Sequence, residues 1–147
     1  MIIPDLNLLI YAHNVGAPCH EFAKRWWEGL VNGGQRVGVP WVVALGFVRL
    51  MTHSAVLVHP VSPETAIDQI REWFRFPHVI PINPGADHLT HFASNLVAAG
   101  TGANLVTDAH IASLAMEYQA EVHSNDTDFS RFPGLRWHNP MPAHPSR

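Results

Sequence analysis

Cysteine occurs once, at Cys19. That excludes an internal disulfide framework, a CxxC redox pair and a zinc site built on thiolates, and it suits a reducing compartment. Charge is also scarce: Asp, Glu, Lys and Arg make up 14% of 147 residues while hydrophobic residues make up 47%. Disorder driven by polarity and charge repulsion is thereby excluded. A chain of this length buries roughly two thirds of its unfolded surface, so one domain can stand without disulfides or a structural metal. Long apolar runs are missing. The longest stretch free of those four residue types, His88 to Thr107, contains two histidines, two asparagines and two glycines, too polar for a bilayer span. The first residues, Met1-Ile2-Ile3-Pro4-Asp5, carry no basic n-region and their apolar run stops at position five, so no signal peptide is expected and the cytoplasm is the expected location. Basic residues are few as well. Nine Lys plus Arg against twelve Asp plus Glu give a net charge of -3, without the basic excess that phosphate binding usually leaves.

The apolar pattern alternates between short β-rich runs and helical spacing. Met1 to Pro4 reads as a strand and Leu6 to Asn14 as a helix, with Leu6, Leu9, Ile10 and His13 on one face. A second, amphipathic helix starts at Pro18 and stops at Asn32-Gly33-Gly34. Val37 to Val39 is a strand, and Trp41 to Met51, apolar apart from Arg49, is a helix buried on nearly all sides. Ser62-Pro63 signals an N-cap followed by proline at the first helical position, opening a helix that ends before Pro77. Val79 to Ile82 is a strand, placed at an edge by Pro81, and Ala86 to Ala99 a helix ended by Gly100. Asp108 to Tyr118 is a helix, Glu121 to His123 a strand, Asn125 to Asp128 a turn and Leu135 to His138 the last strand. Strands alternating with helices imply right-handed crossovers and a three-layer α/β domain with a central, mainly parallel sheet of four or five short strands.

In such a sheet, ligands bind at the carboxyl ends of the strands, near the reversal of strand order. Asp5 follows the first strand, Asp126 and Asp128 follow the strand Glu121 to His123, and Asp108 opens a helix whose N-terminus can face the same crevice. Singly, Asp5 and Asp108 also read as helix caps or first-turn charges, and Asp126 and Asp128 as turn residues. Together, carboxylates gathered without a basic partner repel one another unless a divalent cation neutralises them, and hard oxygen ligands favour magnesium or manganese. Eleven histidines invite a zinc reading, with His88 and His91 one helical turn apart, but no HExxH motif supports it. The five tryptophans, Trp26, Trp27, Trp41, Trp73 and Trp137, read mainly as core or dimer-contact residues, with base stacking as the alternative.

Four blocks, Asp5-Leu6-Asn7-Leu8-Leu9-Ile10-Tyr11-Ala12, Gly46-Phe47-Val48-Arg49-Leu50, Thr107-Asp108-Ala109-His110-Ile111-Ala112 and Asn125-Asp126-Thr127-Asp128-Phe129, resemble in order and spacing those of PIN-domain proteins, especially VapC-type toxin ribonucleases. The closing stretch Phe132 to Pro140 is similar to the end of one VapC subgroup. The resemblance implies one PIN-like domain over residues 1–140 with a loose tail at 141–147. It also implies a magnesium- or manganese-dependent endoribonuclease acting on RNA, held inactive by a VapB-type antitoxin and usually homodimeric. Residue by residue, the family's acids match Asp5, Asp108 and Asp126 as catalytic metal ligands, with Asp128 as an added carboxylate.

One departure stands out. Many PIN domains carry a glutamate on the helix after the second strand, where this chain has Gly46. That loss weakens a second metal position, so one-metal catalysis, recruitment of Asp128 or loss of activity are all open. Glu117 is no substitute, because nine residues beyond Asp108 at about 100° per residue puts it on the opposite helix face. Asn7, two residues beyond Asp5, either orients that carboxylate or a bound water by hydrogen bonding or is an ordinary early helix residue, and Arg49 either pairs with a carboxylate, reaches solvent or meets a phosphate. Two rival functions remain: a catalytically silent PIN-like module that binds RNA or protein, and a metal-dependent phosphohydrolase. The second fits less well, because Asp5-Leu6-Asn7 lacks the nearby second aspartate of phosphoaspartate enzymes.

Overall fold

In the computed structural model, which describes residues 1–100 and 102–143, five short strands form one all-parallel sheet in the order β3-β2-β1-β4-β5. The strands are β1 (Ile2–Pro4), β2 (Val37–Pro40), β3 (Val79–Ile82), β4 (Glu121–His123) and β5 (Arg136–His138). Six α-helices among the described residues supply the crossovers: α1 (Leu6–His13), α2 (His20–Val31), α3 (Trp41–Met51), α4 (Pro63–Trp73), α5 (His88–Ala99) and α6 (Val106–Glu117). The expected three-layer α/β/α architecture is therefore present. Pro81 does lie on an edge strand, opposite Val39, where a missing N–H costs no ladder bond on the outer side.

Local chemistry sets the boundaries. The Ser62 hydroxyl accepts from the Thr65 N–H with Pro63 at the first helical position, and Gly100, at φ 77°, closes α5 in the left-handed region that costs a residue with a Cβ. Some edges differ from expectation. α2 begins at His20 and α5 at His88, each two residues late. α6 begins at Val106 after a short 3-10 turn, Ala103–Leu105, so Asp108 sits inside the first helical turn and does not cap it. The turn after β4 continues into a second 3-10 segment, Thr127–Arg131.

The core lies on both sides of β1, β2 and β4, whose Ile3, Val37, Val39 and Val122 are fully buried. Between α1, α2, α3 and α4, His13, Trp27, Phe47 and Trp73 pack edge to face, with Phe47 and Trp73 ring centres 4.6 Å apart. Such aromatic pairs contribute about 1 kcal/mol each beyond the area they bury. His13 belongs there as a neutral ring: its Nδ1–H donates to the Leu9 carbonyl at 2.7 Å, its Nε2 accepts from the Trp73 indole at 3.2 Å, and burial lowers its pKa. Trp27 and Trp73 are thus core residues, whereas Trp41 is 46% exposed. Past β5, Met141, assigned by sequence to the tail, is 9% exposed and packs on the core; residues 144–147 lie outside the described residues.

Candidate active site

β1 and β4 are neighbours at the point where strand order reverses, with β2 and β3 on one side and β5 on the other. Both strands run the same way, Pro4 lying beside His123, so the residues that follow them emerge together in the crevice outside the sheet.

Asp5 leaves β1 and caps α1. One carboxylate oxygen accepts from the Leu6 N–H at 2.7 Å and the other from the Ser124 hydroxyl at 2.7 Å. Asp5 is buried, 7% exposed, and desolvation raises its pKa against the opposing pull of those two hydrogen bonds, with the Asp126 charge adding to the rise. Asp108 approaches from the first turn of α6. Desolvation first, then the charges of Asp5, Asp126 and Asp128, push its pKa up to about 7. Asp126 caps the 3-10 turn, its carboxylate accepting from the Asp128 N–H at 2.9 Å. Oxygens of Asp108, Asp126 and Asp128 lie within 4.8 Å of one another.

All four sequence-predicted acids therefore reach one crevice, although Asp5 sits deeper than the trio. The only cation paired with any of them among the described residues is Arg131, 3.8 Å from Asp128, with both side chains about half exposed. Such a pair neutralises little. The neighbouring carboxylates add to the raised pKa of Asp5 and Asp108, and a hard divalent cation would remove that repulsion; the all-oxygen donor set fits one.

The other two candidates behave differently. Asn7 does not touch the Asp5 carboxylate. Its amide donates to the Ser124 hydroxyl at 3.2 Å and accepts from the Asn125 N–H at 3.4 Å, so its influence on Asp5 passes through Ser124. Arg49 is exposed on α3, with no carboxylate in ion-pair reach among the described residues. Solvent, not a buried carboxylate, is its partner.

Ser124 was missed in the sequence. It is fully buried, donates to Asp5, accepts from Asn7 and from the Asp126 N–H at 2.9 Å, and its carbonyl accepts from Trp137 at 3.1 Å. One hydroxyl thus ties the acid after β1 to the acid after β4. The available signal was its position, a small hydroxyl directly at the carboxyl end of a buried strand.

The opposite wall is apolar, formed by Leu6, Val42, Val43 and Leu50, within a crevice of about 270 Å³. Gly46 explains that wall. A Cβ built there would meet the Leu6 Cδ2 at 2.6 Å, so the Leu6 side chain occupies the space next to Gly46. Among the described residues, no side chain restores an acid on that side; Glu117 turns away to Gly85 and His88, as the helical spacing requires.

A doubly covered parallel sheet with four acids gathered at its point of strand reversal defines an α/β domain with an acidic crevice at the carboxyl ends of its strands. The PIN domain model matches residues 2–135, and the chain belongs to the PIN-domain family. Ribonuclease VapC33 of Mycobacterium tuberculosis is 43% identical over 141 residues, covering 96% of this chain and 99% of its own. Among solved structures, Mycobacterium tuberculosis VapC20, a sarcin–ricin loop cleaving toxin, superposes with a TM-score of 0.68 at 20% identity over 92% of this chain and 99% of that one. VapBC2 from Rickettsia felis, bound to a DNA fragment from its promoter, gives 0.66 at 19% identity over 95% and 98%.

Proposed function

We propose that the protein is the toxin of a VapBC-type toxin–antitoxin system, an endoribonuclease that hydrolyses RNA phosphodiester bonds with a divalent cation. The observation that carries this reading is the gathering of Asp5, Asp108, Asp126 and Asp128 with Asp108 pushed up to about 7. The 43% identity to a ribonuclease across 96% of the chain supports it. No helix among the described residues is long and apolar enough to cross a membrane.

In this reading Asp5, Asp108 and Asp126 hold the cation, magnesium or manganese, and Asp128 adds charge at the solvent side. When bound, the cation supplies Lewis-acid activation of water and neutralises charge building on the phosphodiester. The chain's own contribution is placement. Leu6 N–H and Ser124 fix both oxygens of Asp5, Asn7 fixes Ser124, and the Asp126 N–H is held by the same hydroxyl. Asp108, whose pKa lies at about 7, would have to release its proton to serve as a ligand, so binding should strengthen as pH rises through about 7. Attack of water on phosphorus would break the P–O3′ bond, the departing 3′-oxygen taking up a proton in place of the one that water loses, which leaves a 5′-phosphate and a 3′-hydroxyl.

A VapB-type antitoxin blocks the crevice by setting a cationic side chain among the acids, and the active species is a homodimer. The apolar wall at Gly46 and Leu6 favours a second reading, a silent module that binds RNA or protein. Cleavage of RNA by the pure protein with magnesium, lost in Asp5→Asn and in EDTA, decides for the enzyme; RNA binding without cleavage decides for the module. Cyclic phosphate ends would contradict attack by water.

A further inference from the structure

A second concavity, about 490 Å³, opens beside the acid crevice. Tyr11 of α1, Cys19 and Phe22 at the start of α2, Asn125 after β4, and Met141 and Pro142 after β5 line it. It is of ligand size, mostly apolar, with few polar handles.

Four observations say what it fits. The two sites adjoin: the Asn125 N–H donates to Asn7, which lines the acid crevice, and Asp126 is the next residue. The lining contains no acid, although the chain as a whole is acidic. The Phe22 ring, 48% exposed, carries the Arg25 guanidinium 5.0 Å from its centre, and Arg25 has no carboxylate in ion-pair reach among the described residues. Lys24, Arg71, Arg75 and Arg131 are each paired, and of the remaining described arginines, Arg25, Arg36, Arg49 and Arg136, Arg25 is the one seated on an aromatic ring of this lining. Finally, the Tyr11 hydroxyl and the Asn125 side-chain NH2 have no protein partner among the described residues, the Asn125 oxygen alone being bonded, to Asn139. Aromatic faces, a free arginine and unspent donors next to a phosphodiester-cleaving site are the elements of single-strand base recognition.

We infer that this cavity is a nucleobase subsite, seating one unpaired base of the RNA strand whose backbone crosses the acids, with Arg25 meeting the adjoining phosphate. The inference rests on the endoribonuclease reading for its substrate. A base stacks on Phe22 and Tyr11, Asn125 reads its hydrogen-bonding edge, and the subsite thereby sets which nucleotide lies at a fixed distance from the cut.

The cavity can be probed without catalysis because Cys19 is the sole cysteine. In EDTA, short single-stranded RNA at saturation, judged by anisotropy, is expected to slow iodoacetamide alkylation of Cys19 by about fivefold or more, whereas an abasic strand of equal length protects little. Alkylation unchanged at saturation, or equal protection by the abasic strand, overturns the subsite, and so does a failure of RNA to bind. With magnesium, an abasic scan of a cleaved RNA is expected to reveal one position that lowers kcat/KM on the order of tenfold. Phe22→Ala should match that loss on intact RNA and add nothing on the abasic one. Additive losses overturn the subsite while leaving the nuclease standing. If Phe22→Ala or Tyr11→Phe instead releases inhibition by the antitoxin and leaves RNA kinetics untouched, the cavity belongs to a protein partner and the inference fails. Absence of cleavage in the wild type defeats the nuclease reading, while Cys19 protection still reports on the base.

Discussion

Two clusters of titratable side chains lie on α6 and behave in opposite ways. On one face Asp108 looks into a crevice of acids whose one paired cation among the described residues is the half-exposed Arg131. On the other, Glu117 is fully spent: it accepts from the Gly85 N–H at 3.0 Å and meets His88 Nδ1 at 2.7 Å, and His88 Nε2 meets His110 Nδ1 at 2.8 Å. The Glu117 and His88 side chains are about 10% exposed. Burial is tolerable in the second cluster because each charge or lone pair has a partner. The first leaves its repulsion unanswered, which costs stability unless a cation is bound.

The strongest way to break that contrast is to remove charge from the crevice. Asp5→Asn and Asp108→Asn should each lower metal-dependent cleavage by more than the 10–100-fold that loss of an outer hydrogen-bond partner costs, read as kcat/KM on a fixed RNA. Next comes the link between the acids. Ser124→Ala leaves Asp5, Asn7 and the Asp126 N–H each short of a bond, and should cost about 10–100-fold in cleavage or metal affinity, measured by metal titration. Glu117→Ala should do the reverse, destabilising by about 2–3 kcal/mol in urea melts because Gly85 and His88 lose their acceptor, with cleavage by the folded fraction within about threefold of wild type. Equal damage to activity would erase the distinction between the clusters.

Proton linkage sharpens it further. The folded protein keeps a proton on Asp108 up to about 7, while the unfolded chain loses it near the ordinary carboxylate value. Metal-free stability should therefore fall as pH rises from about 4 to about 7 and level off above, on the order of 1–2 kcal/mol after solvent screening. Saturating magnesium, or Asp108→Asn, should flatten that slope in thermal melts across the same range. The smallest effect belongs to Arg131→Ala, which breaks a half-exposed pair and should change stability by less than about 0.5 kcal/mol.

Much of this was legible in the chain. Alternating apolar patterns, the Ser62-Pro63 start, the Gly100 stop and Pro81 on an edge strand are local signals, and the strands and helices they announce are present. Asp5, Asp108 and Asp126 could be selected because residues at strand ends and helix starts converge in a parallel sheet. The start of α6 was misread, since the 3-10 turn Ala103–Leu105 has no strong sequence mark, and of the two placements open for Asp108, cap or first turn, the structure has the second. Asn7 was assigned to Asp5 by nearness in sequence, and the true link, Ser124, lies 119 residues from Asp5.

Sequence alone determined the fold class and the positions of the acids, because periodicity, caps and residue type act over a few neighbouring residues; the departure at Gly46 stands out only through the resemblance to PIN domains. Tertiary structure alone decided that Leu6 fills the space beside Gly46, that one buried hydroxyl joins two distant acids, that Glu117 is hydrogen-bonded to Gly85 and His88 while Asp108 faces other acids, and that Arg25 and Phe22 stand beside an acid-free cavity. Distance, desolvation and charge repulsion depend on which side chains the sheet brings face to face, and that pairing is a property of the whole packed chain.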